Sequence, residues 1–338
     1  MTARPDKSRI TLLAEDLPRL VVDTTSDTRY PALETIVAKG RHFSTIAKSP
    51  DHFRFALFGV DADGHLPIAA VTRMGDSGQD SQSGQYWLRV DPVTLWADMA
   101  RVVMTRHGLA DLDPIERNDI ENTVRKVLLE EGIQLHAEHP ERWCIALDES
   151  PNFDFFQLAD ALGMDMAEAM PRNPATLHWR RIMNEIQMAL HACEVNVRRR
   201  QQGLHDINSV WFWGGGFLPD LKQKSHFDHV HTNNPVSRGL AAITDADLQY
   251  QSAKSPAEAC ASGQSVLIDW SSGTDNSESE LDQLESVAAG MLQRANEDAA
   301  ELVLCCGGDG FRYHRACKRK FWLPRHKLDR LCKNRMST

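Results

Sequence analysis

Short apolar runs alternate with amphipathic stretches along most of this sequence, and that alternation is its strongest constraint on folding. Ile10–Leu13, Pro67–Thr72, Tyr86–Val90, Trp143–Leu147, Ser209–Trp213, Val266–Trp270 and Glu301–Cys306 read as strands. Pro31–Lys39, Asp113–Glu131, His178–Gln202, Gly239–Leu248 and Leu281–Glu301 read as helices. In the longest, Trp179, Ile182, Met183, Ile186, Leu190 and Cys193 recur at three- and four-residue spacing, which makes one buried face. Asp91-Pro92 is expected to end the strand before it, because proline demands an extended neighbour. Gly214–Gly216 reads as a turn, and the polar stretches Gly75–Gly84 and Ser271–Glu280 as loops. Strands joined through helices pair in parallel and are covered on both faces. The expected fold is therefore α/β, a mainly parallel sheet with helices on both faces.

The chain has 338 residues, enough for two domains or for one large α/β domain with an inserted subdomain. We expect a polar tail over 1–8, the main domain over 9–312 and a basic segment over 313–338. Lys and Arg total 38 against 47 Asp and Glu, a net charge of −9, so there is no global attraction to nucleic acid or to an anionic membrane. No window approaches the ~18 consecutive apolar residues of a membrane span. Met1–Arg9 lacks the apolar centre of a signal peptide. Seven cysteines, an odd number without a Cys-x-x-Cys pair, do not form a disulfide framework. The expectation is a cytoplasmic protein with no membrane partner.

By residue type, His226, Asp228, His229 and His231 are the best metal candidates, since imidazole and carboxylate at close spacing can share Zn or Mn. The stretch around them reads as a polar loop, and a solvated loop is the favoured reading. Cys305 and Cys306 point to opposite faces of one strand and read as small buried hydrophobes. Gly214–Gly216 and Gly307-Gly308-Asp309-Gly310 could bring backbone amides to a phosphate, or simply make tight strand exits. Neither is a P-loop or a Gly-x-Gly-x-x-Gly turn. Asn184, Glu185, Gln187 and His191 form either a ligand-facing row or a network that joins their helix to the next strand. Arg315, Lys318, Arg319, Lys320, Arg325, Lys327, Arg330, Lys333 and Arg335, with Phe321 and Trp322 between them, suit nucleic acid or a segment folded back on an acidic surface.

Several segments together resemble one family. They are Tyr86–Val93, Trp179…Asn184-Glu185-Ile186-Gln187-Met188…His191, Val195-Asn196…Arg199, and Ile207–Gly216 followed by Leu218-Pro219. This pattern is similar to the RpfE-type regulatory proteins of proteobacteria, which are commonly labelled cofactor-independent phosphoglycerate mutases of the alkaline phosphatase superfamily. The resemblance runs from about Leu12 to Leu328. Asn196, Arg199, Gly203, Asn208, Ser209, Trp211, Trp213, Gly214 and Gly216 also echo the archaeal-type mutases. The kinship implies an alkaline-phosphatase-like α/β sandwich.

Active mutases begin with a strand that ends in a metal-binding Asp-Gly; here the first strand runs into Ala14-Glu15-Asp16. They place a serine nucleophile ahead of a Leu-Phe-Gly-Tyr-Asp stretch, which Phe55–Asp61 resembles. Counting back puts Asp51 on the family's aspartate and Pro50 on its serine, with Ser49 one position off. Their late Gly-Asp-His is Gly308-Asp309-Gly310 here. The resemblance thus implies a catalytically degenerate, binding or regulatory protein without a cofactor, whose partner is a protein or a small phosphorylated ligand. Its implied ligand pocket is lined by Asn184, Gln187, His191, Asn196, Arg199, Asn208, Trp211, Trp213, Gly214 and Gly216. The alternative is an active phosphotransferase or phosphoglycerate mutase with two divalent Mn or Zn ions. It would use Ser49, Asp51 and Asp309, with His226, Asp228, His229 and His231 as metal ligands. A nucleic-acid-associated protein acting through the basic segment is the third reading.

Overall fold

The computed structural model describes residues 8–24, 28–44, 49–60, 64–77, 84–97, 99–109, 112–219, 225–249, 264–270, 276–298, 300–320 and 326–335. The chain forms two compact units, one from Met1–Ala62 and Leu221–Thr338 and the other from Asp63–Asp220. Up to residue 62 it forms β1 (Arg9–Leu13), α1 (Leu17–Asp23), α2 (Pro31–Lys39), β2 (Arg41–Ser44) and α3 (Pro50–Leu57). The second unit holds α4 (Ile68–Ser77), β3 (Tyr86–Ala97), β4 (Val102–His107), α5 (Pro114–Glu130), β5 (Leu135–His139) and β6 (Arg142–Leu147). It continues with α6 (Leu158–Ala161), α7 (Met166–Ala169), α8 (Pro174–Ala192), α9 (Glu194–Gln201) and β7 (Ser209–Phe217). The chain then returns with β8 (His229–Thr232), α10 (Pro235–Ile243), β9 (Asp247–Gln249), β10 (Val266–Asp269), α11 (Ser277–Glu297), β11 (Glu301–Cys306) and β12 (Asp309–Tyr313). A short 3₁₀ helix (Arg315–Arg319) and α12 (Leu328–Arg335) follow.

The first unit is built on a seven-stranded sheet in the order β2-β12-β11-β1-β10-β8-β9. Five strands, from β11 to β9, are parallel, and the β12–β2 edge is antiparallel. Period-two alternation sends Leu12, Ile268 and Leu304 into a core with residues of α1, α2, α11 and α12. Asp269, one residue beyond Ile268, faces the other side, where Arg54 of α3 and Ser237 of α10 meet it. Four described residues of the basic segment, Cys317, Leu328, Leu331 and Cys332, belong to the same core. Gly307 and Gly308 make a hairpin turn into β12 with positive φ at both, a conformation that favours glycine.

The second unit is a five-stranded antiparallel sheet, so the molecule is mixed α/β rather than mainly parallel. β3 is its spine and runs straight through Asp91-Pro92. The first half of β3 pairs with β6 as far as Arg89, and its second half pairs with β4 from Val93. Pro92 falls between the two, so its missing N–H removes no ladder bond there. Pro67–Thr72 is not a strand: Ile68–Ser77 is a helix with Ile68–Arg73 all buried. A short run buried on every side carries no period by which strand and helix could be told apart. Gly214–Gly216 continue β7 instead of turning. A Cβ on Gly215 would lie 2.3 Å from the Tyr86 hydroxyl, and one on Gly216 would lie 2.5 Å from Pro67 Cβ, so only glycine lets the strand pass.

The predicted 178–202 helix is two helices that break at Cys193 (φ −69°, ψ 146°). The Leu190 carbonyl, which residue 194 would serve in an unbroken helix, is taken by the Cys193 N–H and by Asn196 Nδ2. The helix expected over 239–248 instead spans Pro235–Ile243, and Asp247–Gln249 is the edge strand β9. Ser277–Glu280, expected in a loop, opens α11, while 271–275 lie outside the described residues. Among the described residues no helix is long and apolar enough to cross a membrane.

Candidate functional site

A cavity of about 400 Å³ opens in the first unit where β1 and β11 end. It is lined by Leu13, Glu15, Asp16, Ser49, Pro50, Phe53 and the Cys305–Asp309 turn. The carboxyl ends of parallel strands are where ligands bind in open α/β sheets, because loops and helix starts converge there. Two sequence candidates line it directly, Ser49 and Asp309, and Asp51 follows on the same helix.

The charge at this end is organised by Arg54, which is only 4% exposed. Its guanidinium meets three carboxylates: Asp269 through Nε at 2.9 Å and Nη2 at 3.2 Å, Glu15 at 3.0 Å and Asp51 at 3.2 Å. The fully buried Asp269 also accepts the Ser237 hydroxyl at 2.5 Å. Burial works against the Arg54 charge, but Asp269, Asp51 and Glu15 outweigh it and hold the group protonated. Burial pushes the Glu15 and Asp51 carboxyls above their ordinary range, and Arg54 offsets only part of that. Arg54 lies in the apolar–aromatic run Phe53–Val60, Asp269 is the last residue of the apolar strand β10, and Glu15 follows two residues after β1. None of the three belongs to a sequence motif that marks it as a site residue. The available signal was an arginine inside an apolar run with an aspartate three residues before it.

Ser49 is the N-cap of α3, and its Oγ lies 2.7 Å from His52 Nδ1. On the other side of the cavity Asp309, 1% exposed, lies 2.6 Å from His42 Nε2. These residues do not suit a pair of divalent ions. Asp51, with Glu15 and Asp269 beside it, converges on a guanidinium that already supplies positive charge, Asp309 is held by His42, and a divalent ion would face the guanidinium across low dielectric. Among the described residues no three His, Cys, Asp or Glu side chains form a group that could hold a metal ion. In the histidine cluster, His229 pairs with Asp247 at 2.8 Å and Asp228 accepts the Ser265 N–H at 2.8 Å. His226 is exposed, and the buried His231 has a pKa lowered by burial.

The other sequence candidates lie in the second unit. Asn196 bonds the carbonyls of Leu190 and Ile207 and accepts the Ile207 N–H; Arg199 Nε donates to the His205 carbonyl. Asn208 makes both amide bonds to Leu95, and Gln187 reaches Ser209 at 3.1 Å. Trp211 donates to the Phe156 carbonyl and Trp213 to Asp91. Gly214 and Gly216 pack on Ile68 and Pro67, while Asn184 and His191 are exposed. Of the basic segment, Arg315, Lys318, Arg319, Arg330 and Lys333 are exposed, while Phe321, Trp322 and Arg325 lie outside the described residues.

No family model matches the chain, and no curated protein matches it. Among solved structures, the PH0037 protein from Pyrococcus horikoshii is 13% identical, with 92% of this chain and 87% of that one covered, at a TM-score of 0.56. The cofactor-independent phosphoglycerate mutase from Thermoplasma acidophilum is 17% identical, with 91% and 90% covered, at a TM-score of 0.46. The likeness to the PH0037 protein is a likeness of fold.

Proposed function

We propose that this chain is a non-catalytic, regulatory protein on a phosphoglycerate-mutase-like scaffold, and that the cavity at the ends of β1 and β11 receives a partner without turning it over. The single observation that carries this reading is Arg54, whose side chain supplies among Glu15, Asp51 and Asp269 the charge that two-metal phosphotransfer takes from its ions. The lining also bears on the partner. It carries the carboxylates of Glu15, Asp16 and Asp309 and, among the described residues, no lysine or arginine. A phosphate ester would enter against like charge, so a protein segment is the better fit of the two expected partner classes. The test is turnover: 3-phosphoglycerate interconversion and p-nitrophenyl phosphate hydrolysis with Mn²⁺ or Zn²⁺ added. We expect rates at the level of the protein-free control. Metal-dependent turnover that Ser49→Ala removes would overturn the reading.

One observation favours a second reading, phosphoryl transfer. The Ser49 hydroxyl stands at the cavity with an imidazole 2.7 Å away, which is the arrangement a serine nucleophile needs. The same Ser49→Ala comparison separates the two.

A further inference from the structure

A second cavity, of about 480 Å³, lies wholly in the second unit, on the face of the antiparallel sheet that α4 covers. Period-two alternation puts Gln85 and Trp87 of the β3 stretch, Ala146 and Asp148 of the β6 stretch, and Gln134 and His136 of the β5 stretch on that face. Trp87 is in register with Ala146, whose small side chain leaves the floor open. Arg73 comes in from α4 with its guanidinium carbon 4.0 Å above the centre of the Trp87 ring. The His136 ring meets the same indole edge-on at 5.0 Å.

Two donors at this cavity are unspent. Arg73 is 8% exposed and Trp87 2% exposed, and Arg73 Nε and Trp87 Nε1 are buried with no hydrogen-bond partner among the described residues. Arg73 has one carboxylate partner, Glu138 Oε1, 3.1 Å from Nη2. Buried N–H groups are paired in nearly all folded proteins, so two unpaired donors on residues that line one cavity point to an absent acceptor. We propose that this cavity binds a small monocarboxylate, to whose oxygens the Arg73 Nε–H and Trp87 Nε1–H donate. The Arg73 guanidinium already shares its charge with Glu138, and Asp148 stands at the rim, so the two charges of a phosphate ester are disfavoured more strongly than the one of a monocarboxylate. Burial lowers the His136 pKa, so its neutral ring adds a hydrogen-bonding group and no charge. The inference is independent of the function proposed above and survives its failure.

The test is an acetate titration followed through the indole N–H resonances of ¹⁵N-labelled full-length protein, at constant ionic strength. The chain has eight tryptophans, and Trp87→Phe identifies the resonance of interest. We expect a saturable shift of the Trp87 indole with acetate, and tenfold or weaker binding in Arg73→Met, the loss typical of a charge-assisted hydrogen bond. Ala146→Leu, which fills the floor and keeps both donors, should abolish the shift while the circular-dichroism melt stays cooperative. That second variant decides the matter if Arg73→Met fails to fold. The proposal is overturned if the Trp87 resonance does not saturate with acetate. Equal shifts with sodium chloride or phosphate, or an unchanged affinity in the Ala146→Leu protein, would overturn it too.

Discussion

Arg54 in the first unit and Arg73 in the second are both buried arginines, and they are used in opposite ways. Arg54 is saturated, with carboxylates on Nε, Nη1 and Nη2, and one of them, Asp269, is fully buried. Arg73 has one half-exposed carboxylate, an indole face beneath it and an Nε–H without a partner. A saturated guanidinium is part of the framework, because removing it strands charge where water cannot reach. An unsaturated one can be removed at small cost and has bonding capacity left for something that arrives.

The difference can be broken by substitution. Arg54→Met should have the largest effect, a loss of about 3–5 kcal/mol in urea unfolding, since it leaves Asp269 buried without its counter-charge. A loss under about 1 kcal/mol would mean that Arg54 is not the hub of the cluster. Gly216→Ala should come next, at about 1–3 kcal/mol, because its Cβ would meet Pro67 Cα at 2.9 Å and Cβ at 2.5 Å. That contact sits where the chain enters α4, so the same variant should disturb the Trp87 indole resonance under Arg73. Arg73→Met should cost only about 1–2 kcal/mol, the sum of a partly exposed ion pair and a cation–π contact. A loss as large as that of Arg54→Met would erase the distinction.

The smallest effect is in pH, and the two regions should respond with opposite signs. Burial lowers the pKa of His136 and His139, so below about pH 6.5 the unfolded chain takes up protons that the folded second unit refuses, and stability falls with acid. Burial raises Glu15 and Asp51, so the folded first unit binds protons before the unfolded chain does. Their contribution therefore rises as pH drops through the range just above ordinary carboxylate values. His136→Gln should flatten the acid loss, and Glu15→Gln should deepen it, in urea midpoints measured between pH 7 and 4.5. Changes in the reverse directions would contradict the assignment.

Much of the first unit was legible in the sequence. Pro31 and Gly40 bracket α2 as expected, and β1, β10 and β11 coincide with apolar runs. In the second unit, strong local signals were overruled by tertiary packing. Pro92 sits inside β3 because two partners leave a gap for it, and the Gly214–Gly216 run is extended because Tyr86, Ile68 and Pro67 crowd it. The candidate site was legible in its parts: Ser49, Asp51 and Asp309 do gather at one end of the first sheet. Its organiser was not, because Arg54 meets Asp269 across 215 residues and Glu15 across a strand and two helices. Arg73 and Trp87 are similarly joined only by the fold, since a helix and a strand place them face to face.

If the Arg54 guanidinium takes the place of metal charge at the ends of β1 and β10, the site has no need of divalent ions. The decisive measurement is elemental analysis of the full-length protein after incubation with Mn²⁺ and Zn²⁺ and then desalting. We expect no stoichiometric metal in the unsubstituted protein. About two ions per chain retained with Arg54 intact would contradict it.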